Sequence, residues 1–294
     1  MTNRSLRSTI RTDSCRTVRH AVVITAYLKS RRRANNMAEL LGEIELNRIY
    51  QRDCIEGMRM IPDESVDLVA TDPPYVNVVG EDWDKENVFT DELVSEMRRV
   101  LKPSGSIYVW CGIGEKSRSL VDFIQILDKQ LNFKDLITWK KQRGIGMRKG
   151  WLYTREECLW YVKDNKKFIW RRDNQYNKED KRAFSLPNNK SDYKRWTNIW
   201  TDVKEVAGGM KSAQYHPTQK PVELMERIIN LHTYENEVVL DCFMGSGTTA
   251  VAALRTNRNF VGFELEPEYV QIANQRLESL ADTEAERKLT EEDE

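Results

Sequence analysis

Val66 to Thr71 (VDLVAT) is a nearly unbroken apolar run that stops on Asp72-Pro73-Pro74-Tyr75. A short run without regular polar alternation suits a strand buried on both faces, the kind a parallel sheet is built from. Two prolines then remove two backbone donors and end the strand sharply. The theme recurs along the chain. Leu93, Met97, Val100 and Leu101 give helical spacing over Thr90 to Leu101, and Lys102-Pro103-Ser104-Gly105 breaks it before a strand at Ser106 to Cys111. Leu120, Phe123, Ile124, Leu127 and Leu131 predict an amphipathic helix, followed by strands at Asp135 to Trp139 and Glu157 to Val162. Further on come a helix over Lys220 to His232, a strand over Glu237 to Phe243, a turn at Gly245-Ser246-Gly247 and a helix over Thr248 to Thr256. A strand over Asn259 to Leu265 and a helix over Glu268 to Leu280 complete the series. Strands alternating with helices predict an α/β fold with a mostly parallel sheet.

One stretch lacks this pattern. Residues 165–212 are polar, basic and aromatic, and read as an insert between a first half at 37–164 and a second half at 213–280. Residues 1–36 are Arg-rich with little periodicity and read as a basic arm or an over-called start, since Met37 opens an ordinary beginning. Residues 281–294 form an acidic tail. The apolar run Ala21 to Leu28 is far short of the about 20 residues a membrane span needs. Lys29, Arg31, Arg32 and Arg33 stand where a signal peptide would carry small cleavage-site residues. The 46 basic residues balance the 46 acidic ones, which excludes a uniformly basic architectural protein. Five scattered cysteines without a C-x-x-C fit a reducing cytoplasm, and no metal site is expected.

Two places carry chemistry. In the second half, a strand ends near Asp241, a Gly-rich turn follows, and a helix opens at Thr248. Glycines let a backbone approach a ligand, and a helix N-terminus offers free N–H groups. No Lys follows the turn, which disfavours a P-loop, and the spacing is not G-x-G-x-x-G. Glu264, about twenty residues on, would accept hydrogen bonds from ribose hydroxyls. These parts suit a nucleoside cofactor without a pyrophosphate, or alternatively a purely structural turn. In the first half, the Asp72 carboxylate and the Pro73 carbonyl make a cluster of acceptors beside the flat face of Tyr75. Such a cluster suits a planar group bearing an NH₂. Accepting both amino hydrogens would draw the nitrogen lone pair out of conjugation and make it a nucleophile.

Asp72-Pro73-Pro74-Tyr75, together with Asp241-Cys242-Phe243-Met244-Gly245-Ser246-Gly247-Thr248-Thr249, resembles the amino-methyltransferases of DNA. The catalytic motif precedes the cofactor motif with an insert between them. That order, and His216-Pro217-Thr218-Gln219-Lys220-Pro221 before a helix, resembles the permuted beta class. The resemblance covers Ile44 to Leu280. It implies a doubly wound, circularly permuted, seven-stranded Rossmann-like sheet, and S-adenosylmethionine as cofactor. It implies that Asp72, Pro73, Pro74 and Tyr75 are catalytic, with Asp72 and Pro73 on the target amine and Tyr75 stacked on the flipped base. Phe243, Gly245, Ser246, Gly247 and Thr248 would wrap the cofactor, Asp241 would sit near its amino group, and Glu264 would hold its ribose. Thr218, Gln219 and Lys220 would border the same pocket. Asp53 matches the position near the adenine ring, and its spacing equally suits a helix N-cap. His216 is read as positional.

The implied partner is double-stranded DNA. The resemblance allows a homodimer and a cognate restriction endonuclease, and the implied setting is the cytoplasm of a bacterium or of a phage-infected bacterial cell. Between Trp139 and Lys220 basic residues outnumber acidic ones, and six of the eight tryptophans lie there, which marks the insert as the DNA-reading region. Lys141 to Lys149 and Val76 to Asp84 are candidate mobile loops, and chemistry on a paired base requires extruding it. Asp72 favours adenine N6, because cytosine N4 enzymes more often carry Ser there. An RNA methyltransferase and an inactive DNA binder are the other readings, and the intact motifs argue against the last.

Overall fold

The computed structural model describes residues 39–75, 88–114, 117–145, 149, 151–181, 192–206 and 219–292. The 1–36 arm, the Val76 to Asp84 loop, His216 and Thr218 lie outside the described residues. The elements run β1 (Leu40–Leu41), β2 (Ile44–Glu45), β3 (Arg48–Gln51), α1 (Cys54–Met58), β4 (Val66–Thr71), α2 (Asp91–Val100) and β5 (Leu101–Cys111). Then follow α3 (Ser119–Leu127), β6 (Asn132–Ile145), β7 (Tyr153–Val162), β8 (Tyr176–Lys181), β9 (Tyr193–Arg195) and β10 (Ile199–Trp200). The last are α4 (Val222–His232), β11 (Val238–Asp241), α5 (Thr248–Arg255), β12 (Asn259–Glu264) and α6 (Pro267–Glu292).

Eight strands form one sheet in the order β10-β6-β7-β5-β4-β11-β12-β3. β7 runs antiparallel to both its neighbours, and every other pairing in the sheet is parallel. The seven expected strands are therefore joined by an eighth. It is the two-residue β10, whose Ile199 and Trp200 pair with Thr138 and Trp139 at the sheet edge. A two-residue strand in a polar, aromatic stretch has no periodicity to give it away.

All six residues of β4 are buried, and they divide between two cores. Leu68 and Ala70 join Leu224, Ile228, Val251, Ala273 and Leu277 of α4, α5 and α6. Val66 and Val69 join Met58, Leu93, Met97, Phe123 and Leu127 of α1, α2 and α3. The sheet is thus covered on both faces, as a run of apolar residues without alternation requires.

Several boundaries differ from the sequence reading. β5 begins at Leu101 rather than Ser106, but its ladder with β4 jumps from Val66↔Leu101 to Leu68↔Ser106. Lys102 to Gly105 therefore bulge out of the pairing, which is the break their composition announced. β6 and β7 are longer than their apolar cores, because hairpin pairing carries them on through Ile145↔Tyr153. α6 continues past Leu280 to Glu292.

The insert divides in two. Its outer part is the antiparallel pair β8 and β9. Its beginning and end pack onto the main body. Trp170 stacks on Trp160 of β7 with centroids 5.3 Å apart, and the Arg171 backbone N–H donates to Leu231 of α4 at 2.8 Å. On the return, Arg227 of α4 lies 3.7 Å from the Trp196 ring centroid and bonds Asp202 at 2.7 Å. Of the six tryptophans between Trp139 and Lys220, Trp139 and Trp200 are buried, Trp160, Trp170 and Trp196 are half-buried and Trp151 is 93% exposed.

Candidate active site

Parallel strands deliver their carboxyl ends to one side of the sheet, and ligands of open α/β sheets bind there. β4 ends at Thr71 and β11, its direct neighbour, ends at Asp241. The two expected sites, far apart in sequence, therefore meet. Thr71 Oγ1 donates to Asp241 Oδ1 at 2.8 Å, so the residue before the catalytic turn grips the first residue of the cofactor motif.

Asp241 is 3% exposed. Burial pushes its carboxyl up to about 6, against the pull of hydrogen bonds from Thr249 Oγ1 at 2.6 Å, Thr71 and the Phe243 backbone N–H at 3.0 Å. After Asp241 the chain passes Phe243 and turns through Gly245 (φ +51°) and Gly247 (φ +82°) before α5 opens at Thr248. Left-handed backbone here explains both glycines. A Cβ on Gly247 would stand 2.9 Å from the Cβ of Ala273, whereas one on Gly245 would meet no atom within 4 Å. Gly245 thus presents bare backbone to open space, which fits a cradle for a bound nucleoside.

Glu264, at the end of β12, accepts the Gly245 backbone N–H on Oε2 at 2.7 Å and the Glu266 N–H on Oε1 at 3.0 Å. Burial raises its carboxyl above the usual range against those bonds. Asp53 is the N-cap of α1, accepting from Ile55 and Glu56 backbone N–H groups at 2.9 and 3.0 Å. The neighbouring Arg52 N–H donates to the Glu264 carbonyl at 3.1 Å, so Asp53 lies at the same sheet end as Glu264. Ser246 and Thr248 turn toward Arg276 of α6, whose guanidinium bonds the Ser246 carbonyl, the Ser246 hydroxyl at 3.1 Å and the Thr248 hydroxyl at 3.4 Å.

The catalytic turn is charged on one side. Asp72 Oδ1 accepts the Tyr75 hydroxyl at 2.7 Å and Oδ2 accepts Lys220 Nζ at 2.5 Å. Lys220 immediately precedes Pro221, the N-cap of α4, and its carbonyl accepts the Thr248 hydroxyl at 3.3 Å. It thereby touches the cofactor turn with its backbone and the catalytic turn with its side chain. Gln219 precedes it. Lys220 Nζ also pairs with Glu156 Oε2 at 2.9 Å, and Glu156 Oε1 is bonded by Lys141. Burial would lower the Lys220 ammonium, but Asp72 and Glu156 outweigh it and raise it, so the residue is charged. Glu156 is held below the usual range despite its burial by Lys220 and Lys141. Stripping a buried cation of its partners costs about 3–5 kcal/mol, and Lys220 has two of them.

Glu156 and Trp110, whose ring centroid is 5.3 Å from Lys220 Nζ, were not foreseen, and Lys141, expected to open a mobile loop, lies in β6. The available signal was Glu156-Glu157: two carboxylates leading into the otherwise apolar Cys158 to Val162 strand need partners. Among the described residues there is no cluster of His, Cys, Asp and Glu able to hold a metal, and no helix long and apolar enough to cross a membrane.

The sheet order, with the Asp72 turn and the glycine turn at adjacent strand ends, places the chain among the doubly wound α/β proteins. The chain belongs to the N6/N4 DNA methylase family, whose pattern matches residues 66–275. It is 31% identical over 262 residues to the type II methyltransferase M1.MboII of Moraxella bovis, covering 81% of this chain and 98% of that one. It is 32% identical over 253 residues to the DNA adenine methyltransferase YhdJ of Escherichia coli K12, covering 80% and 83%. Among solved structures it is similar to the complex of M1.HpyAVI with S-adenosylmethionine, at 30% identity and a TM-score of 0.54, covering 78% of this chain and 98% of that one.

Proposed function

We propose that this DNA methyltransferase transfers a methyl group from S-adenosylmethionine to the N6 amine of an adenine flipped out of duplex DNA. The observation that carries the reading is the meeting of Asp72 and Asp241 at the ends of the adjacent parallel strands β4 and β11. The cofactor would supply an electrophilic methyl on a sulfonium. Asp241 would face its amino group, Glu264 its ribose, Asp53 its adenine, and the Phe243 to Thr248 turn its methionine side, with Thr218, Gln219 and Lys220 along the rim. Asp72 and the Pro73 carbonyl would accept the two amino hydrogens and turn the nitrogen lone pair toward the methyl. Pro74 keeps the turn rigid and Tyr75 gives the base a flat wall. Bond formation at nitrogen leaves a strongly acidic N–H, so no base is needed before the attack, and rate comes mostly from positioning.

Asp72 and the adenine-specific relative both favour adenine over cytosine. The 165–212 insert would read the site, with duplex phosphates held by its basic residues. A second copy of the chain and a cognate endonuclease belong to the same reading. The deciding experiment incubates the protein with S-adenosylmethionine and unmethylated duplex DNA, digests to nucleosides and identifies the product by mass spectrometry. N6-methyladenine is expected. N4-methylcytosine would overturn the base assignment, and methylation of RNA alone would overturn the substrate.

A further inference from the structure

Both oxygens of the Asp72 carboxylate are already engaged, Oδ1 by the Tyr75 hydroxyl and Oδ2 by Lys220. The Lys220 contact is an ammonium on a carboxylate at 2.5 Å with the lysine 5% exposed. A charge-assisted bond of that kind is roughly twice as strong as one between neutral groups. The N–H of a neutral aromatic amine does not displace it unless the ammonium has somewhere equivalent to go. Glu156 Oε2, 2.9 Å from the same nitrogen, is such a place. The Tyr75 and Trp110 ring centroids, 5.7 and 5.3 Å away, add aromatic faces that a cation tolerates.

We propose that Lys220 is a positioning residue shared between two carboxylates: it caps Asp72 Oδ2 at rest and passes to Glu156 when the target amine takes its place. This rests on the reading of Asp72 as the amine acceptor. Glu156 then has a defined purpose, which is to keep the displaced ammonium paired in a buried site where a bare charge is costly. Lys141, on the other oxygen of Glu156, holds that carboxylate ionised and ready.

Asp72 interacts with Tyr75 on its own turn, Cys111 on β5, Cys158 on β7, Lys220 before α4 and Asp241 on β11. Glu156 on β7 and Lys141 on β6 stand behind Lys220, and Glu157 acts on both thiols. Burial pushes the Tyr75 hydroxyl and both thiols upward, so they stay neutral over the working range. Burial raises the Asp241 carboxyl to about 6 and that of Glu264 above the usual range, so every profile is taken at saturating cofactor.

The test measures single-turnover methylation of unmethylated duplex DNA against pH, at saturating S-adenosylmethionine, with the full chain. Lys220→Met leaves two carboxylates facing each other, so the acid limb of the profile moves up by about one pH unit or more. The rate then recovers in part above it. Glu156→Gln leaves Lys220 to Asp72 alone, so the acid limb moves down and the plateau falls roughly tenfold. Affinities of that variant for cofactor and DNA stay within about threefold of the parent. Lys220→Arg returns the limb toward the parent position. Limbs that stay put, limbs that move the same way in both variants, or an undiminished Glu156→Gln plateau would overturn the proposal. If Lys220→Met fails to fold, Glu156→Gln carries the decision. An active parent with unmoved limbs sinks the role of Lys220 alone, whereas a parent that methylates no DNA base sinks the reading of Asp72 as well.

Discussion

Thr71 and Asp241 stand 170 residues apart and share a hydrogen bond of 2.8 Å. Thr71 is followed at once by the Asp72 turn, and Asp241 opens the glycine turn. Whatever shifts one of these two strand ends shifts the other. The spacing between the starts of the two turns is therefore set by adjacent strands of the sheet.

Replacing Asp72 by Ala removes the carboxylate acceptor but leaves the Lys220 to Glu156 pair intact. Methyl transfer is expected to fall by at least ~100-fold, the scale on which single preorganised hydrogen-bond groups contribute to catalysis. Calorimetric affinity for the cofactor and gel-shift affinity for DNA should change little. Near-normal turnover in this variant would remove Asp72 from the chemistry.

Under the proposed reading, Asp241 would give cofactor binding a pH signature. Its carboxyl is raised to about 6 by burial, so it protonates at a pH where ordinary aspartates remain ionised. A protonated Asp241 offers no charge to an ammonium, so cofactor affinity should weaken as pH drops through 6. Isothermal titration at pH 5 and pH 7.5 reads this directly, and Asp241→Asn should flatten the dependence while weakening binding throughout.

Glu264 holds the Gly245 backbone through one oxygen and the Glu266 backbone through the other. Glu264→Ala should raise the cofactor dissociation constant by about tenfold or more, the worth of a hydrogen bond or two to a charged group. The maximal rate at saturating cofactor should be far less affected. A loss confined to the maximal rate would place Glu264 elsewhere in the mechanism.

Gly247→Ala tests the turn without touching any charge. Its φ of +82° and the 2.9 Å approach to the Ala273 Cβ leave no room for a side chain. A stability loss of about 1–3 kcal/mol is expected from the backbone conformation and the clash. Gly245→Ala meets open space. It should cost less stability and more cofactor affinity, a difference that thermal melting and titration together resolve.

His232 links the insert to the body and predicts how the fold responds to acid. Its Nε2 lies 2.7 Å from the Tyr108 hydroxyl and its Nδ1 lies 2.7 Å from the Ile169 carbonyl. Desolvation depresses its imidazole to about 4. The folded state therefore favours neutral His232. That contribution is complete above the unfolded value near 6.5 and is lost as pH falls toward 4. It amounts to roughly 3 kcal/mol if the unfolded imidazole titrates normally. Melting curves between pH 7.5 and pH 4 should show the loss in the parent and a shallower one in His232→Gln, which starts from lower stability.

The sequence showed the frame and the motif residues because both are local. Val66 to Thr71 announces a doubly buried strand by lacking alternation, and Asp241 to Thr249 announces a turn by its glycines. β10 escaped notice because two residues make no pattern. Their pairing with Thr138 and Trp139 is a tertiary fact. The Lys220 to Glu156 contact escaped for the same reason: Glu156-Glu157 showed that partners were needed, but which residue supplies them is settled only by the fold. The concentration of tryptophans was visible, but its meaning was not. Trp139 and Trp200 turn inward to build the core, a choice made by packing that no count of residues records.

The β8 and β9 ribbon leaves the body at Gln175 and returns at Trp196, and the Trp196 backbone N–H donates to the Gln175 carbonyl at 2.9 Å. Its neck is thus stitched shut while its root is clamped by Arg227 and Trp170. An appendage fastened in this way behaves as a cassette. Changes of sequence or length beyond the neck would then leave the sheet beneath undisturbed. Site preference and methyl chemistry would then evolve on separate parts of one chain.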